Sequence, residues 1–158
     1  MEKSSGIIAY RKRKGSDEME FLLCSPAGPY WIHRKLFSFP KGHVEKTDEN
    51  DKIAAIREFK EETSFDLSGE MDNIVDFDTI RQNKSKMVHV FLYYDKDYKI
   101  NASELKCLFK TEIEFPKNSN KFILIDEVDS YCWLTYKEIT DLEHIKIYDS
   151  IYRSLSES

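Results

Sequence analysis

The chain has no apolar run approaching the ~20 residues that span a bilayer, no CxxC spacing, no excess of basic residues, and no repeat, low-complexity tract or linker. Each absence removes a class of protein. The N-terminal MEKSSGIIAYRKRK returns to charge after a very short apolar run, so neither a signal peptide nor a membrane span is expected, and a soluble, cytoplasmic protein is. Three cysteines, Cys24, Cys107 and Cys132, are an odd number without metal-ligand spacing, and they read as buried thiols of a reducing compartment. A net charge of −5 argues against general nucleic-acid binding through a basic surface, while leaving room for a local basic pocket that holds phosphates. What remains is a length of 158 residues, 41% of them hydrophobic, enough for one domain over residues 1–158 with a single sizeable core.

The chemistry concentrates between Gly42 and Phe65, GHVEKTDENDKIAAIREFKEETSF. On a helix, Glu58, Glu61 and Glu62 stand at i, i+3 and i+4, so their carboxylates share one face about a turn tall, with Ile53, Ile56 and Phe59 as an opposing apolar stripe. Three like charges so placed repel, and more strongly in a cleft of low dielectric, so a cation is expected there. Oxygen donors with spare positions for water and phosphate suit Mg²⁺, and Mn²⁺ accepts the same set. Taken as an isolated cluster, the bland alternative is a solvated helix face on which Arg57 pairs forward to Glu61. A calcium loop of the EF-hand kind over Thr47–Asp51 fails on spacing, because Ile53 falls where the sharp turn needs glycine.

The longer pattern decides between these readings. Its residues run G-x6-E-x7-R-E-F-x-E-E-x-S-F, with Glu49, Arg57, Glu58, Phe59, Glu61, Glu62 and Phe65 at their places, and this resembles the Nudix box of the Nudix hydrolases. Two departures stand out: one extra residue between Gly42 and Glu49, and Ser64 where the family has a second glycine. The insertion falls in a polar loop, where added length costs little. Ser64 is the sharper anomaly, since a helix-ending glycine adopts positive φ, which costs an L-residue roughly 1 kcal/mol or more.

The resemblance implies an α/β fold, a Nudix-type α/β/α sandwich with a mixed sheet, that uses a divalent metal to hydrolyse a nucleoside diphosphate linked to another group. It makes Glu58, Glu61 and Glu62 metal ligands, with the Lys41 carbonyl as a further one. Glu58 or a downstream glutamate is the general base, and Arg57 orients the ledge. Gly42 and Glu49 support the geometry between loop and helix. The stretch EVDSYCWL resembles the late loop and strand from which such enzymes add another carboxylate, here Glu127, with Asp126 and Asp129 as competitors.

Elsewhere, period-2 patterns predict strands over Ser5–Arg11 and Glu20–Cys24 joined as a hairpin, and over Leu36–Phe39, Ile74–Ile80, Met87–Tyr94, Phe122–Ile125 and Tyr131–Leu134. Strand pieces are expected at Leu105–Lys110 and Thr111–Phe115, a loop over Asp66–Asn73, and a terminal helix with Tyr148, Ile151, Tyr152 and Leu155 on one face. Periodicity alone leaves α/β and α+β both open. The rigid loop Pro26–Trp31 could wall a base pocket or simply pack on the surface.

The run from SSGIIAYRKR to FSFPKGHVE is similar to nucleoside-triphosphate pyrophosphohydrolases of the superfamily. PKGHVE, NKSKMVHVF and EVDSYCWL look like its dinucleoside tetraphosphate hydrolases, a likeness that assigns Lys41, Lys84 and Lys86 to phosphates and Tyr131 to base stacking. A histidine and a tyrosine of that signature fall on Leu36 and Arg81, and the lysines taken alone read first as solvated charges on a turn. The expected partner is thus a small-molecule nucleotide, either a dinucleoside tetraphosphate or a nucleoside triphosphate, with a capped RNA end left open and no membrane. The alternative is a Nudix-like domain that senses a nucleotide or ADP-ribose without turnover.

Overall fold

The computed structural model describes residues 2–26, 38–139 and 145–156. The first strand, β1 (Glu2–Lys12), organises the sheet: Ser4 to Ala9 are all buried, as expected of a central strand covered on both faces. It runs antiparallel to β2 (Met19–Pro26) along its second half and to the short β3 (Lys41–His43) along its first, from Ser4↔His43 to Gly6↔Lys41. One edge of β1 is therefore shared between two partners. Gly6 makes the second pairing fit, since a Cβ there would lie 2.5 Å from the Pro40 carbonyl oxygen and 2.6 Å from the Lys41 Cβ.

On its other edge β1 pairs in parallel with β5 (Lys86–Tyr94), which forms a hairpin with β4 (Ile74–Asn83), and β8 (Val128–Thr135) closes the far side against β2. The strand order is β4-β5-β1-β2-β8, a mixed sheet with a single parallel pair among the described residues. Successive side chains leave a strand on opposite faces, so Ile7 and Ile8 enter different cores. Ile7 joins Leu22, Phe91 and Tyr93 under helix α1 (Asp51–Thr63), while Ile8 joins Phe21, Leu23 and Val90 under helix α2 (Ile145–Ser156). A sheet with a helix on each face is the α/β/α arrangement expected. Among the described residues no helix is long and apolar enough to cross a membrane.

Several expectations need correcting. The Asp66–Asn73 segment contains a 3-10 helix over Ser68–Asn73, and 105–109 forms no strand but runs along the end of α1, with the Lys106 and Leu108 amides donating to the Thr63 and Glu61 carbonyls. β6 (Lys110–Glu114) and β7 (Phe122–Asp126) do form, yet pair only with each other, as an arm off the main sheet. The loop over residues 27–37, with its Tyr30, Trp31 and Leu36, lies outside the described residues, and of the strand expected from Leu36 the described part is a bridge between Ser38 and Cys24.

Helix α1 is fixed at both ends. Asn50 caps its start, accepting from the Ile53 amide. Asp51, its first residue, meets Lys3 (2.5 Å) and His89, whose other ring nitrogen faces Asp76; both imidazole contacts are 2.8 Å. Burial works against charge on His89, but hydrogen bonds to the two carboxylates outweigh it and raise its pKa. At the other end the Tyr131 hydroxyl donates to the Glu62 carbonyl. Ser64 takes the left-handed conformation (φ 68°) and its amide closes on the Lys60 carbonyl, so serine carries the strain that glycine would avoid.

Candidate active site

The apolar face of α1 differs from the simple stripe. Ala54, Ala55, Ile56 and Phe59 are buried, Ile53 only partly, and two of the glutamates, Glu58 and Glu62, are themselves 8% exposed. Small alanines let the helix lie close to the sheet, and β3 then covers the flank that carries Glu58. A Cβ on Gly42 would sit 2.2 Å from the Glu58 carboxyl carbon, so only glycine lets that carboxylate rest on the β3 backbone. The Lys41 amide donates to the Glu62 carboxylate. Gly6 brings β3 to β1, and Gly42 then brings Glu58 to β3.

Arg57 is the hub of the cluster. Its Nη1 reaches Glu58 (2.9 Å) and both oxygens of Glu61 (3.2 Å), its Nη2 the His43 carbonyl (3.0 Å), and its Nε and Nη2 grip Asp48 in a two-pronged pair (3.0 and 2.9 Å). Such bidentate pairing fixes orientation as well as charge. The acid that braces the loop is thus Asp48 and not Glu49, which is exposed one residue further on. Five residues separate Asp48 from Gly42, so the extra residue lies between the acid and the helix rather than before the acid. Hydrogen bonds from Arg57 hold its pKa below the ordinary value, and Asp48 in turn accepts from the Glu45 amide.

Electrostatically the cluster is starved of positive charge. Burial, then repulsion from Glu61, pushes Glu58 up to about 7 despite the neighbouring Arg57. Glu62 is raised well above its usual range by burial, then by Glu58 and Glu127, against the pull of Lys41. Glu127, on the joint between β7 and β8, is raised by burial and by Glu61. Glu127 thus feels the charge of the helical carboxylates although it is 65 residues from Glu62 in sequence. Raised carboxylate pKa values from like charges and desolvation are what active sites use to tune acids and bases.

The donor set is all oxygen, and its two buried carboxylates are in the state that a divalent cation would relieve, so these residues fit Mg²⁺. Among the described residues no three or more His, Cys, Asp or Glu side chains are already gathered into a metal cage. The glutamates form an acidic wall along α1.

Tyr131 stands at this wall through its bond to the Glu62 carbonyl, and burial raises its pKa. Its strand is anchored by Arg11, which lies 3.7 Å over the Trp133 ring and pairs with Glu20 (2.7 Å) and the buried Asp95 (3.0 Å). Lys84 and Lys86 are placed elsewhere, at the β4–β5 turn beside the start of β1. There Lys86 faces Glu2 at 3.8 Å, and the Ser85 carbonyl accepts from the Glu2 amide. None of their hydrogen bonds or ion pairs among the described residues reaches the helical glutamates.

A mixed sheet between two helices, with a buried acidic wall held by Arg57, is the arrangement that the Nudix resemblance implies. The family model of the NUDIX domain matches residues 3–155, and the chain belongs to that family. No curated protein matches it. Among solved structures it is similar to the Ap4A hydrolase of C. elegans in a binary complex, with 22% identity, coverage of 99% of this chain and 96% of that one, and a TM-score of 0.61. It is also similar to the NUDIX domain of Shewanella oneidensis NrtR complexed with ADP ribose (12% identity, 98% and 88% coverage, TM-score 0.68). A third likeness is to T. brucei MERS1 in an RNA complex (14%, 86% and 52%, 0.58).

Proposed function

We propose that this Nudix hydrolase is a Mg²⁺-dependent pyrophosphohydrolase that cleaves a phosphoanhydride in a nucleoside polyphosphate, either a dinucleoside tetraphosphate or a nucleoside triphosphate. The observation that carries this is the burial of Glu58 and Glu62 against Lys41–Gly42 with Glu61 and Glu127 alongside: carboxylates kept out of water at a cost that a pure structural role would not require. Glu58, Glu61 and Glu62, with the Lys41 carbonyl, would hold the ion. Bound there, a divalent ion neutralises phosphate charge and lowers the pKa of a bound water.

The chain's own residues supply the rest. Arg57 fixes one oxygen of Glu58, which orients that carboxylate to take up a proton from an attacking water. Glu127 is the second candidate for that role. Tyr131 offers a ring beside the wall for a base. Lys84 and Lys86, at the β4–β5 turn, would meet the outer phosphates of a long polyphosphate. The likeness to an Ap4A hydrolase supports the dinucleoside reading.

The competing reading, a sensor that binds ADP-ribose without turnover, is favoured by the likeness to NrtR with ADP ribose bound. A panel of nucleotides incubated with Mg²⁺, with both products identified, separates the two. Hydrolysis that stops on chelation supports the enzyme; tight binding of ADP-ribose with no product from any nucleotide supports the sensor. Turnover that persists in excess EDTA, with metal content confirmed as negligible, removes the metal mechanism.

A further inference from the structure

The last turn of α1 is capped largely from outside the helix. The final four carbonyls of a helix have no acceptor role to play within it and must find donors elsewhere. Here the Lys60 carbonyl accepts from the Ser64 amide (2.8 Å), the Glu61 carbonyl from the Leu108 amide (2.8 Å) and the Thr63 carbonyl from the Lys106 amide (3.2 Å). The Glu62 carbonyl accepts instead from the Tyr131 hydroxyl. Three carbonyls are thus met by main-chain amides, whereas the fourth, on a glutamate of the wall, is met by a side chain from β8.

Glu62 is gripped a second time. The Lys41 amide donates to its carboxylate, so β8 holds the main chain of this residue and β3 its side chain. Between the two supports lies Cys24 of β2, paired with Tyr131 across one edge and with Ser38 across the other. Residues directly opposite in a ladder put their side chains on one face of the sheet, and Leu22, two residues before Cys24, belongs to the core under α1. Tyr131 and Cys24 therefore both face the helix. The Cys24 thiol donates to the Ser38 carbonyl (3.3 Å), and it is the Tyr131 hydroxyl that reaches the helix end.

Phenylalanine would fill the same space without a donor, so what the hydroxyl adds is direction. It fixes the last turn against the sheet and with it the angle at which Glu62 leaves the helix. Glu58, one turn earlier, is set separately, by its rest on Gly42. Mg²⁺ demands near-ideal octahedral geometry, so a shift of one donor in the set weakens binding by the whole set.

We propose that Tyr131 is a positioning residue, whose hydroxyl sets Glu62 against Glu58 and Glu61 for a divalent cation. This rests on the reading of the wall as a metal-dependent hydrolytic site, and it divides one side chain into two tasks: the ring for a base, the hydroxyl for the wall. Groups that orient metal ligands are worth about 10- to 100-fold in affinity or activity, and because Tyr131 acts on the main chain of Glu62, the lower figure is expected.

The test compares Y131F and Y131L with wild type in the full chain, with folding verified by circular dichroism. Mn²⁺ binding to the protein without nucleotide is read from the electron paramagnetic resonance of the free ion, and steady-state kinetics are run at saturating Mg²⁺. Y131F keeps the ring and loses only the donor, so Mn²⁺ binding and kcat should each fall about 10-fold while KM for the nucleotide stays within about twofold. Y131L should lose as much Mn²⁺ affinity and raise KM as well; should it not fold, Y131F decides alone. A cap that served stability only would lower the Tm of Y131F and leave its Mn²⁺ affinity and kcat at wild-type values, and that result overturns the proposal even if wild type is a metal-dependent hydrolase. Weakened Mn²⁺ binding in Y131F, beside a wild type that hydrolyses no nucleotide, would sink the enzymatic reading and leave the positioning role standing.

Discussion

Replacing Glu58 by glutamine tests the electrostatics of the wall directly, in metal-free protein. Glu58 has an ordinary value of 4.5 and a folded value of about 7, so in the folded state it binds its proton more tightly than in the unfolded chain. The folded protein then holds more protons than the unfolded one between these values, and stability falls as pH rises through that window. A shift of about 2.5 units corresponds to roughly 3 kcal/mol of destabilisation above pH 7, at about 1.4 kcal/mol per unit. Glutamine has the shape of the protonated acid and never ionises. Because Glu61 and Glu62 share the repulsion and relax with it, we expect E58Q to be more stable than wild type by about 2 kcal/mol at pH 8 in EDTA. That is roughly 4–8 °C in Tm for a domain of this size. At pH 5 wild-type Glu58 already carries its proton, and the gain shrinks below about 1 kcal/mol. Saturating Mg²⁺ should reverse this order in favour of wild type, since charge is what the ion binds. Thermal melts across pH, with and without EDTA, read all of this; an E58Q that is destabilised equally at pH 5 and pH 8 would falsify the claim that burial opposes the Glu58 charge.

Other perturbations follow from contacts already described. G42A would place a methyl group 2.2 Å from the Glu58 carboxyl carbon, and the forced displacement should lower kcat by about 100-fold with little change in fold, as read by steady-state kinetics and circular dichroism. D48A removes the bidentate partner of Arg57 and should cost about 1–3 kcal/mol in denaturant unfolding, whereas E49A should stay within about 0.5 kcal/mol. Equal effects of these two would return the bracing role to Glu49. If Lys84 and Lys86 bind outer phosphates as proposed, charge removal in K84A/K86A should raise KM for a dinucleoside tetraphosphate well above its effect on a triphosphate while leaving kcat nearly unchanged. Unchanged KM for both substrates would make these lysines solvated turn residues.

The helical half of the site was readable because helix geometry ties spacing to position: residues three and four apart must be neighbours, whatever surrounds them. Loop geometry has no such rule. Counting from Gly42, an extra residue fits equally before or after the bracing acid, so Asp48 and Glu49 compete on paper. Only the folded loop, with Arg57 reaching to the Asp48 carboxylate, separates them. The five-residue interval from Gly42 to Asp48 was the signal available. Periodicity also speaks for one helix face at a time and not for what flanks it, which is why Glu58 and Glu62 read as an exposed ledge opposite the apolar stripe although β3 buries them. The strands of the arm were legible as strands for the same local reasons as those of the sheet. Their pairing with one another, away from the sheet, is a tertiary choice that alternation does not encode.

Helix α1 is held at its start by the ion cluster of Lys3, Asp51, His89 and Asp76, and at its end by Tyr131 and the amides of Lys106 and Leu108. It behaves as a beam built in at both supports. A beam so fixed resists tilt and translation, and the three glutamates it carries keep their mutual spacing under load. Opposing charges at the wall can then be relieved by proton or cation uptake, but hardly by the helix yielding. Adaptation to ligands of different length must come instead from what is fastened at one end only, namely the arm that roots at Glu127. Stiffness in the helix thus assigns compliance to the periphery, and changes in substrate range should accumulate there while the wall stays constant.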